Sequence, residues 1–580
     1  MVVSVNGRGE SRRRIGSAAG GSQRAVSRRR FLSGAAAVAG AVMVPPDAAG
    51  GGIGRLLHGL PGTASGTGGP GGQPVTLTVD AAARGYAIPA GYAGLSFERG
   101  PLFSGNAGVA GYLFSPSNTE LITLFTNAGI KSLRIGGGSV DDEIPAGTGA
   151  DGYTGIDNLF AFAGEAGVRV LYSLRLLNQV SQRNPDLEPQ DVAIARHIWE
   201  RHRPHLSSFA IGNEPDWHSY HTYLNRLEDP LIYETVSGVP GTAYPSYLAD
   251  WRDFAGAIRG GAPGATFSGP DTGSYTTQTY TPDPAGGVSW TQQFAEDERQ
   301  SGLIADITQH YYVGGSPGVT TAQQAIDNML SADWVTNTAI ATQPAGPASA
   351  TTTYVPYPWL YANNVSPVVS AGLPYRLTES NDYLTGVPGA SNGFASALWT
   401  LDYMHWWAAH RAAGVNFHNK QWIYTDTIVP EPGAGGPPYR SFAVTPKAYG
   451  IRAFDLGAQG EVKPVAIANS AGVNVTAYAV GDGQDLYVTI INKTQGAGAT
   501  DAGVTIVSTG ARPAAAEAMV LTNGTPGDAS QSGTTLGGES ITNAGGWHGR
   551  WDPVPPDSRG QVALTVRATT AAIVRVHMAG

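Results

Sequence analysis

Eight short runs of β-prone residues punctuate the middle of the chain, at 93–98, 132–139, 168–176, 207–214, 266–271, 304–313, 375–379 and 415–420. Each closes on polar residues or glycine. Helical patterns fill the intervals, most clearly at 117–128, 156–166, 189–203, 247–260, 290–301 and 394–413. Strand and helix in alternation predict a parallel sheet. Eight such repeats predict an α/β fold closed as a (β/α)8 TIM barrel.

From about residue 451 the texture changes. Runs at 473–480, 485–492, 502–508, 517–521 and 562–576 alternate, are rich in Val and Thr, and are separated by Gly and Asn turns with no helical pattern. They predict an all-β C-terminal sandwich. The run at 75–79 has the same character and is expected to join it. The predicted plan is therefore an export signal at 1–49, a Gly-rich linker at 50–73, an N-terminal sandwich strand within 74–92, the barrel at 93–445 and the sandwich at 446–580.

Composition sharpens this picture in two places. The 580 residues include no cysteine, which excludes disulfide frameworks, thiolate metal sites and cysteine nucleophiles. The net charge of −9 conceals an asymmetry, because residues 1–73 hold nine arginines, no lysine and two acids. The remainder keeps 27 of the 36 basic and 43 of the 45 acidic residues. Such an acidic body lacks the footprint of a nucleic-acid-binding protein. The basic segment contains Ser27-Arg28-Arg29-Arg30-Phe31-Leu32 and then an apolar stretch at 31–44. That is the layout of a signal peptide, too short for a bilayer anchor, and the paired arginines resemble the twin-arginine export signal. Export to the cell envelope or the medium is expected, with no membrane anchor in the mature protein.

Barrel enzymes carry their chemistry at the C-terminal strand ends. Here those ends supply Glu98, Asp141, Glu214, Asp271, Tyr312, Glu379 and Lys420. Two carboxylates facing each other across such a mouth are what glycoside hydrolysis needs: one protonates the leaving oxygen, the other attacks the anomeric carbon or activates water. The strongest local signal is Ile211-Gly212-Asn213-Glu214-Pro215 closing the fourth strand, where Pro215 lacks an N–H and turns the chain just past Glu214. Arg376-Leu377-Thr378-Glu379-Ser380-Asn381 closes the seventh strand, and His310-Tyr311-Tyr312 the sixth.

An Asn-Glu-Pro on strand four, a Glu on strand seven and a His-x-Tyr on strand six resemble the retaining glycosidases of clan A. Within that clan the chain is most similar to glycoside hydrolase family 79, the β-glucuronidase and heparanase group. Gly94-Leu95-Ser96-Phe97-Glu98 looks like that family's first strand, and Leu133-Arg134-Ile135-Gly136-Gly137-Gly138-Ser139-Val140-Asp141 like its second. Gly414-Val415-Asn416-Phe417-His418 resembles its eighth, and Pro446-Lys447-Ala448-Tyr449-Gly450 the junction to its sandwich. The resemblance covers roughly residues 75–580. It implies Glu214 as acid/base and Glu379 as nucleophile, with Tyr312 orienting Glu379. Glu98, Asp141, Asn213, Tyr383 and Trp217 would contact the sugar. A carbohydrate is the expected partner, and neither a cofactor nor a metal is expected.

The chain departs from the family in two stretches. Where the glucuronidases have a Tyr-Gly-Gly-like segment that holds the sugar carboxylate, this chain has Asp382-Tyr383-Leu384-Thr385-Gly386, and Gly138 replaces a Thr of the second-strand motif. The glycone is thus open between a uronic acid and a neutral glucoside, galactoside or xyloside. Lys420 stands as a substitute partner for a carboxylate. A catalytically silent carbohydrate-binding protein on the same barrel is the alternative from another class. His197, His202 and His205, spaced by five and three, read as helix surface rather than as ligands, and His405-Trp406-Trp407 reads as core. No Gly-Lys pair occurs, which excludes a P-loop.

Overall fold

The computed structural model describes residues 71–105, 108, 111–141, 153–176, 187–216, 243–273, 289–314, 321–338, 341–345, 350–433 and 438–579. The expected export signal, most of the expected linker, and Trp217 lie outside the described residues. Among the described residues no helix is long and apolar enough to cross a membrane.

Eight parallel strands close a barrel: Ala93–Glu98, Ser132–Gly136, Arg169–Leu174, Leu206–Ile211, Phe267–Thr272, Ile304–Tyr312, Tyr375–Asn381 and Ala412–Asn419. Closure is made by the eighth strand on the first, with Val415 opposite Ala93 and Asn419 opposite Phe97. Period-2 geometry sends alternate residues inward and outward. The outward set is apolar and packs under the helices. Phe97 meets Phe114, which meets Phe162, and Trp251 meets Phe267 and Phe294, all edge-on. The inward set is polar where barrels of this type usually carry Val, Ile and Leu. Ser208 and Ser268 share a 2.7 Å hydrogen bond, and Arg376 donates to Asn416 Oδ1 at 3.0 Å. Asn416 in turn donates to Ser132 Oγ and to the Leu95 carbonyl. Gly414 makes room for this arginine, since a Cβ there would lie 2.2 Å from its Nη1.

Local signals set the helix ends. Asn118 caps Thr119–Asn127 by accepting from Leu121 N–H, and Ser289 caps Trp290–Glu298 by accepting from Gln292 N–H. Gly167 stops Thr154–Ala166 in the left-handed conformation, φ +67°. Helix Phe394–Ala409 is buried on nearly all faces because the barrel covers one side and the sandwich another. It ends before the expected residue 413: Arg411 takes φ +68° and Ala412 already enters the eighth strand. The second strand likewise stops at Gly136, short of the expected 139. Gly137 at φ +75° breaks it, and Gly138–Asp141 forms a 3-10 turn.

The C-terminal part is two sheets. One, in the order Val465–Ala468, Gln73–Asp80, Ala502–Thr509, Val562–Val566, takes the N-terminal strand at its centre, antiparallel to the first and parallel to the third. The other runs Glu461–Lys463, Val475–Gly481, Asp485–Asn492, Thr570–Met578, Pro513–Thr522, Thr535–Leu536. The single run expected at 562–576 is two strands in different sheets, separated where Thr569 takes φ +55°. The texture change expected near 451 is also late, because Lys447–Gly457 is a helix, mostly buried.

Barrel and sandwich are joined by a buried ion pair. Asp402, on Phe394–Ala409, accepts from Lys493 Nζ at 2.8 Å, Thr476 Oγ1 at 2.6 Å and Tyr478 Oη at 2.7 Å. Breaking one partner of such a pair costs about 3–5 kcal/mol. Lys493→Met should therefore lower unfolding free energy by about that amount in a denaturant titration, while Lys493→Arg costs less. Beside the pair, burial holds His405 neutral, its pKa pushed down from 6.5 to about 3 against the pull of Asp402. The unfolded chain takes up this proton below pH 6.5 and the folded one does not, so the histidine's contribution is complete above pH 6.5 and is lost as pH falls toward about 3. Melting temperature against pH should fall less steeply on that acid limb in His405→Phe than in the wild type.

Candidate active site

A guanidinium organises the barrel mouth. Arg134, on the second strand, is fully buried. Its Nη1 donates to Glu379 Oε2 at 2.9 Å and Ser96 Oγ at 3.0 Å, its Nη2 to Asn213 Oδ1 at 2.8 Å and Asp271 Oδ2 at 3.0 Å. Gly136 permits this, since a Cβ there would lie 2.6 Å from Arg134 Cζ.

Glu379 is nearly buried, and each of its oxygens is engaged. Oε2 receives Arg134 and Oε1 receives the Tyr312 hydroxyl at 2.6 Å. Burial pushes its pKa up, but the charges of His418, His310 and Arg134, with the Tyr312 hydrogen bond, outweigh that and hold it far below the usual carboxylate range. Asp271 behaves alike. Burial is opposed by Arg134, His310 and Thr378, and the carboxyl stays ionised well below its ordinary value.

Glu214 stands opposite. It follows the fourth strand at φ +46°, a left-handed backbone for a non-glycine residue, fixed by its N–H donating to the Asp271 carbonyl at 2.9 Å. Asp271 is itself at φ +55°, its N–H on Thr308 Oγ1 at 3.0 Å. Strain of this kind persists where the surroundings over-determine it, and it clusters at functional sites. Glu214 Oε1 lies 2.8 Å from His310 Nδ1. Burial alone would lower the His310 pKa, but Glu379, Asp271 and Glu214 together push it up to about 10. The surrounding carboxylates thus favour the protonated imidazole, whose Nδ1 faces Glu214.

The rim follows. Glu98 Oε2 accepts from the Ser139 N–H at 2.9 Å and hydroxyl at 2.5 Å, and its Oε1 lies 3.5 Å from His418 Nε2. Burial raises its pKa, yet His418 and Ser139 bring the balance below the ordinary value. Gly137 is required here twice over, by its φ and because a Cβ would reach Glu98 at 2.5 Å. Asn213 points into the barrel toward Arg134. Asp141 ends the 3-10 turn, and its side chain lies outside the described residues, as Trp217 does entirely.

Two expected contacts fare differently. Tyr383 is buried, and its hydroxyl accepts from Asn328 at 2.8 Å, so it turns toward helix Ala322–Met329 and is engaged there. The reason is Gly314, whose missing side chain leaves the groove that the ring fills. Lys420 is exposed just past the eighth strand. Its N–H, with those of Trp422 and Ile423, is held by the buried Asp426 carboxylate, which pins the loop although Gln421 and Trp422 take φ +59° and +80°.

Sequence reasoning gave no site role to Arg134, His310 or His418, and named Asp271 only among the strand-end candidates. Arg134 had a visible signal, a lone charge inside the apolar triplet Leu133-Arg134-Ile135. His310 and Asp271 stood at predicted strand ends. An oxygen of Glu214, one of Glu379 and a nitrogen of His310 lie within 4.8 Å of one another, a grouping that could hold a metal ion. Arg134 on Glu379 and the positive charge of His310 oppose a cation there.

No protein-family model matches the chain. Over 258 residues, 42% of this chain, the sequence is 25% identical to a beta-glucuronidase of Aspergillus niger, and the match spans 41% of that protein's length. In three dimensions the chain is similar to a 4-O-alpha-L-rhamnosyl-beta-D-glucuronidase from Fusarium oxysporum, with a TM-score of 0.59 at 15% identity over 86% of this chain and 99% of the other. It is similar also to a family 51 arabinofuranosidase from Xanthomonas axonopodis pv. citri, with a TM-score of 0.56, 12% identity and coverage of 87% and 100%. A bifunctional glucanase-xylanase from a metagenome library gives 0.55, 15%, 87% and 100%. At such identities the likeness is one of architecture: the chain has the TIM-barrel fold of these glycoside hydrolases, followed by a β-rich C-terminal part.

Proposed function

We propose that the chain is a retaining β-glycosidase acting on β-glucuronides or related glycans, exported through its twin-arginine-like leader. The observation that carries this reading is the facing pair Glu214 and Glu379, with an oxygen of each within 4.8 Å. Retention uses carboxyl groups roughly 5–5.5 Å apart, whereas inversion needs about 6.5–9.5 Å to admit a water. Glu379, ionised and oriented by Tyr312 and Arg134, attacks the anomeric carbon. Glu214 carries a proton to the departing oxygen, and its carboxylate then removes one from the water that releases the sugar. The glucuronide assignment draws on the Aspergillus niger and Fusarium oxysporum relatives.

A neutral glycone is the second reading, and one observation favours it: Tyr383, the phenol that the family resemblance would set on a sugar carboxylate, is engaged by Asn328 instead. Lys420 at the rim is the cation that would take its place. A silent binding protein is the weakest reading, because it has no use for a strained Glu214 backbone and a nearly buried carboxylate held at both oxygens.

A panel of aryl β-glycosides tests these readings. The expected result is turnover of the glucuronide, the β-anomer appearing first by NMR, no turnover in Glu379→Ala, and a loss of about 10²–10⁴ in kcat/KM for Glu214→Ala. That loss should shrink with leaving groups that need no proton. Inversion of the anomer, or turnover surviving in Glu379→Ala, defeats the mechanism. Lys420→Ala should raise KM for the glucuronide and leave a glucoside untouched; turnover of neutral glycosides alone defeats the glucuronide assignment.

A further inference from the structure

On the outer wall of the barrel, helix Thr154–Ala166 lies beside helix Leu187–His202, and three side chains that the proposed chemistry does not use converge between them. His197 Nε2 lies 2.6 Å and His202 Nε2 2.7 Å from the same oxygen, Asp157 Oδ1. All three ligand-type atoms lie within 4.8 Å of one another. We propose that Asp157, His197 and His202 form a binding site for a divalent transition-metal ion of the zinc type, which clamps the two helices together.

The helix spacing argues against this, and the structure shows why the spacing misleads. Residues five apart diverge on a continuous helix. His202 is the last residue of its helix and leaves helical geometry at φ −126°, ψ 6°, before the 3-10 turn Arg203–His205. That departure swings its ring onto the face of His197.

Three properties suit a metal rather than a mere hydrogen-bonded cluster. Both imidazoles are held in place by stacking, His197 on Tyr153 at 4.0 Å and 12°, His202 on Phe160 at 4.9 Å and 7°. Little ordering remains to be done on binding. The carboxylate side chain is 43% exposed, so solvent can enter and occupy the positions that three protein ligands leave open. Its ion-pair partners among the described residues are these two histidines, so no arginine or lysine holds the charge that a cation would neutralise. Two imidazoles and a carboxylate are a donor set that zinc accepts in tetrahedral geometry. Ligation requires both Nε2 atoms without a proton, and the nitrogen–oxygen separations must open to about 3.3 Å for metal bonds of about 2.0–2.1 Å. Rotation of the exposed Asp157 side chain supplies that. The trio Glu214, His310 and Glu379 is a poorer cation site because Arg134 and a charged His310 already occupy it.

The test is titration of the chelator-treated full-length protein with zinc chloride at pH 7.5, followed by calorimetry and by melting temperature. The expected result is one zinc per chain and a raised melting temperature. Affinity should be weaker by about tenfold or more in His197→Gln, His202→Gln and Asp157→Asn. Metal-free melting temperature and glycosidase activity should stay near wild type in Asp157→Asn, which keeps the side chain's shape should a histidine variant fail to fold. Absence of stoichiometric binding, binding unchanged in Asp157→Asn, or binding abolished only by Glu214→Gln would each overturn the assignment.

Discussion

Burying a guanidinium inside a barrel requires that its charge and most of its donors be met on the spot, since desolvating such an ion costs several kcal/mol. Arg134 is met at both terminal nitrogens, though not at its buried Nε, by residues of four other strands: Ser96 from the first, Asn213 just past the fourth, Asp271 in the fifth and Glu379 in the seventh. The acceptors are therefore not independent. Moving any one of them leaves part of a buried cation unpaired, so the mouth holds one geometry. The strained backbones of Glu214 and Asp271 are tolerable for the same reason. One is hydrogen-bonded to the other, and the other is fixed by Arg134, Thr378 and Thr308.

This constraint also accounts for the polar interior. A wall of Val and Ile would surround Arg134 with groups that cannot answer its donors. Serines, threonines and asparagines carry the satisfaction outward through the layers, as in the chain Arg376 to Asn416 to Ser132.

The strands were legible because short β-prone runs closed by polar or glycine ends alternate with helical patterns, and those ends are where backbone geometry puts chemistry. Glu214 and Glu379 announced themselves through neighbours with local effects, Pro215 and the polar run after Leu377. What the sequence withheld was contact across the barrel. Nothing near Arg134 signals that it reaches Glu379, 245 residues away. Tyr383 carried the chemistry of a sugar contact, yet the direction of its ring depends on the absent side chain of Gly314. His202 looked like helix surface because spacing arguments assume that a helix runs through the residue, and it ends there. In each case the missing quantity was a side-chain direction set by a distant residue or by a helix terminus.

The same logic makes the C-terminal part a support of the mouth rather than an appendage. Lys447 opens the junction helix and is completely buried. Its ammonium donates to Asn381 Oδ1 at 2.6 Å, to the Thr425 carbonyl and hydroxyl at 2.8 and 2.9 Å, and to Asp382 at 3.3 Å, over the rings of Trp399 and Phe417. Asn381 and Asp382 are the residues that follow the Glu379 strand end, and Thr425 belongs to the loop that carries Lys420. Two turns of chain on from Glu379 and Lys420 are thus tied to one cation. Two residues further along the same helix, the Tyr449 hydroxyl accepts from the N–H of Ile541, in the sandwich. A chain cut at the end of the barrel would lose the helix that holds this lysine, and the loops beside the candidate nucleophile would keep a buried Asp382 with no counter-charge. The C-terminal part therefore contributes to the rigidity of the candidate site through Lys447.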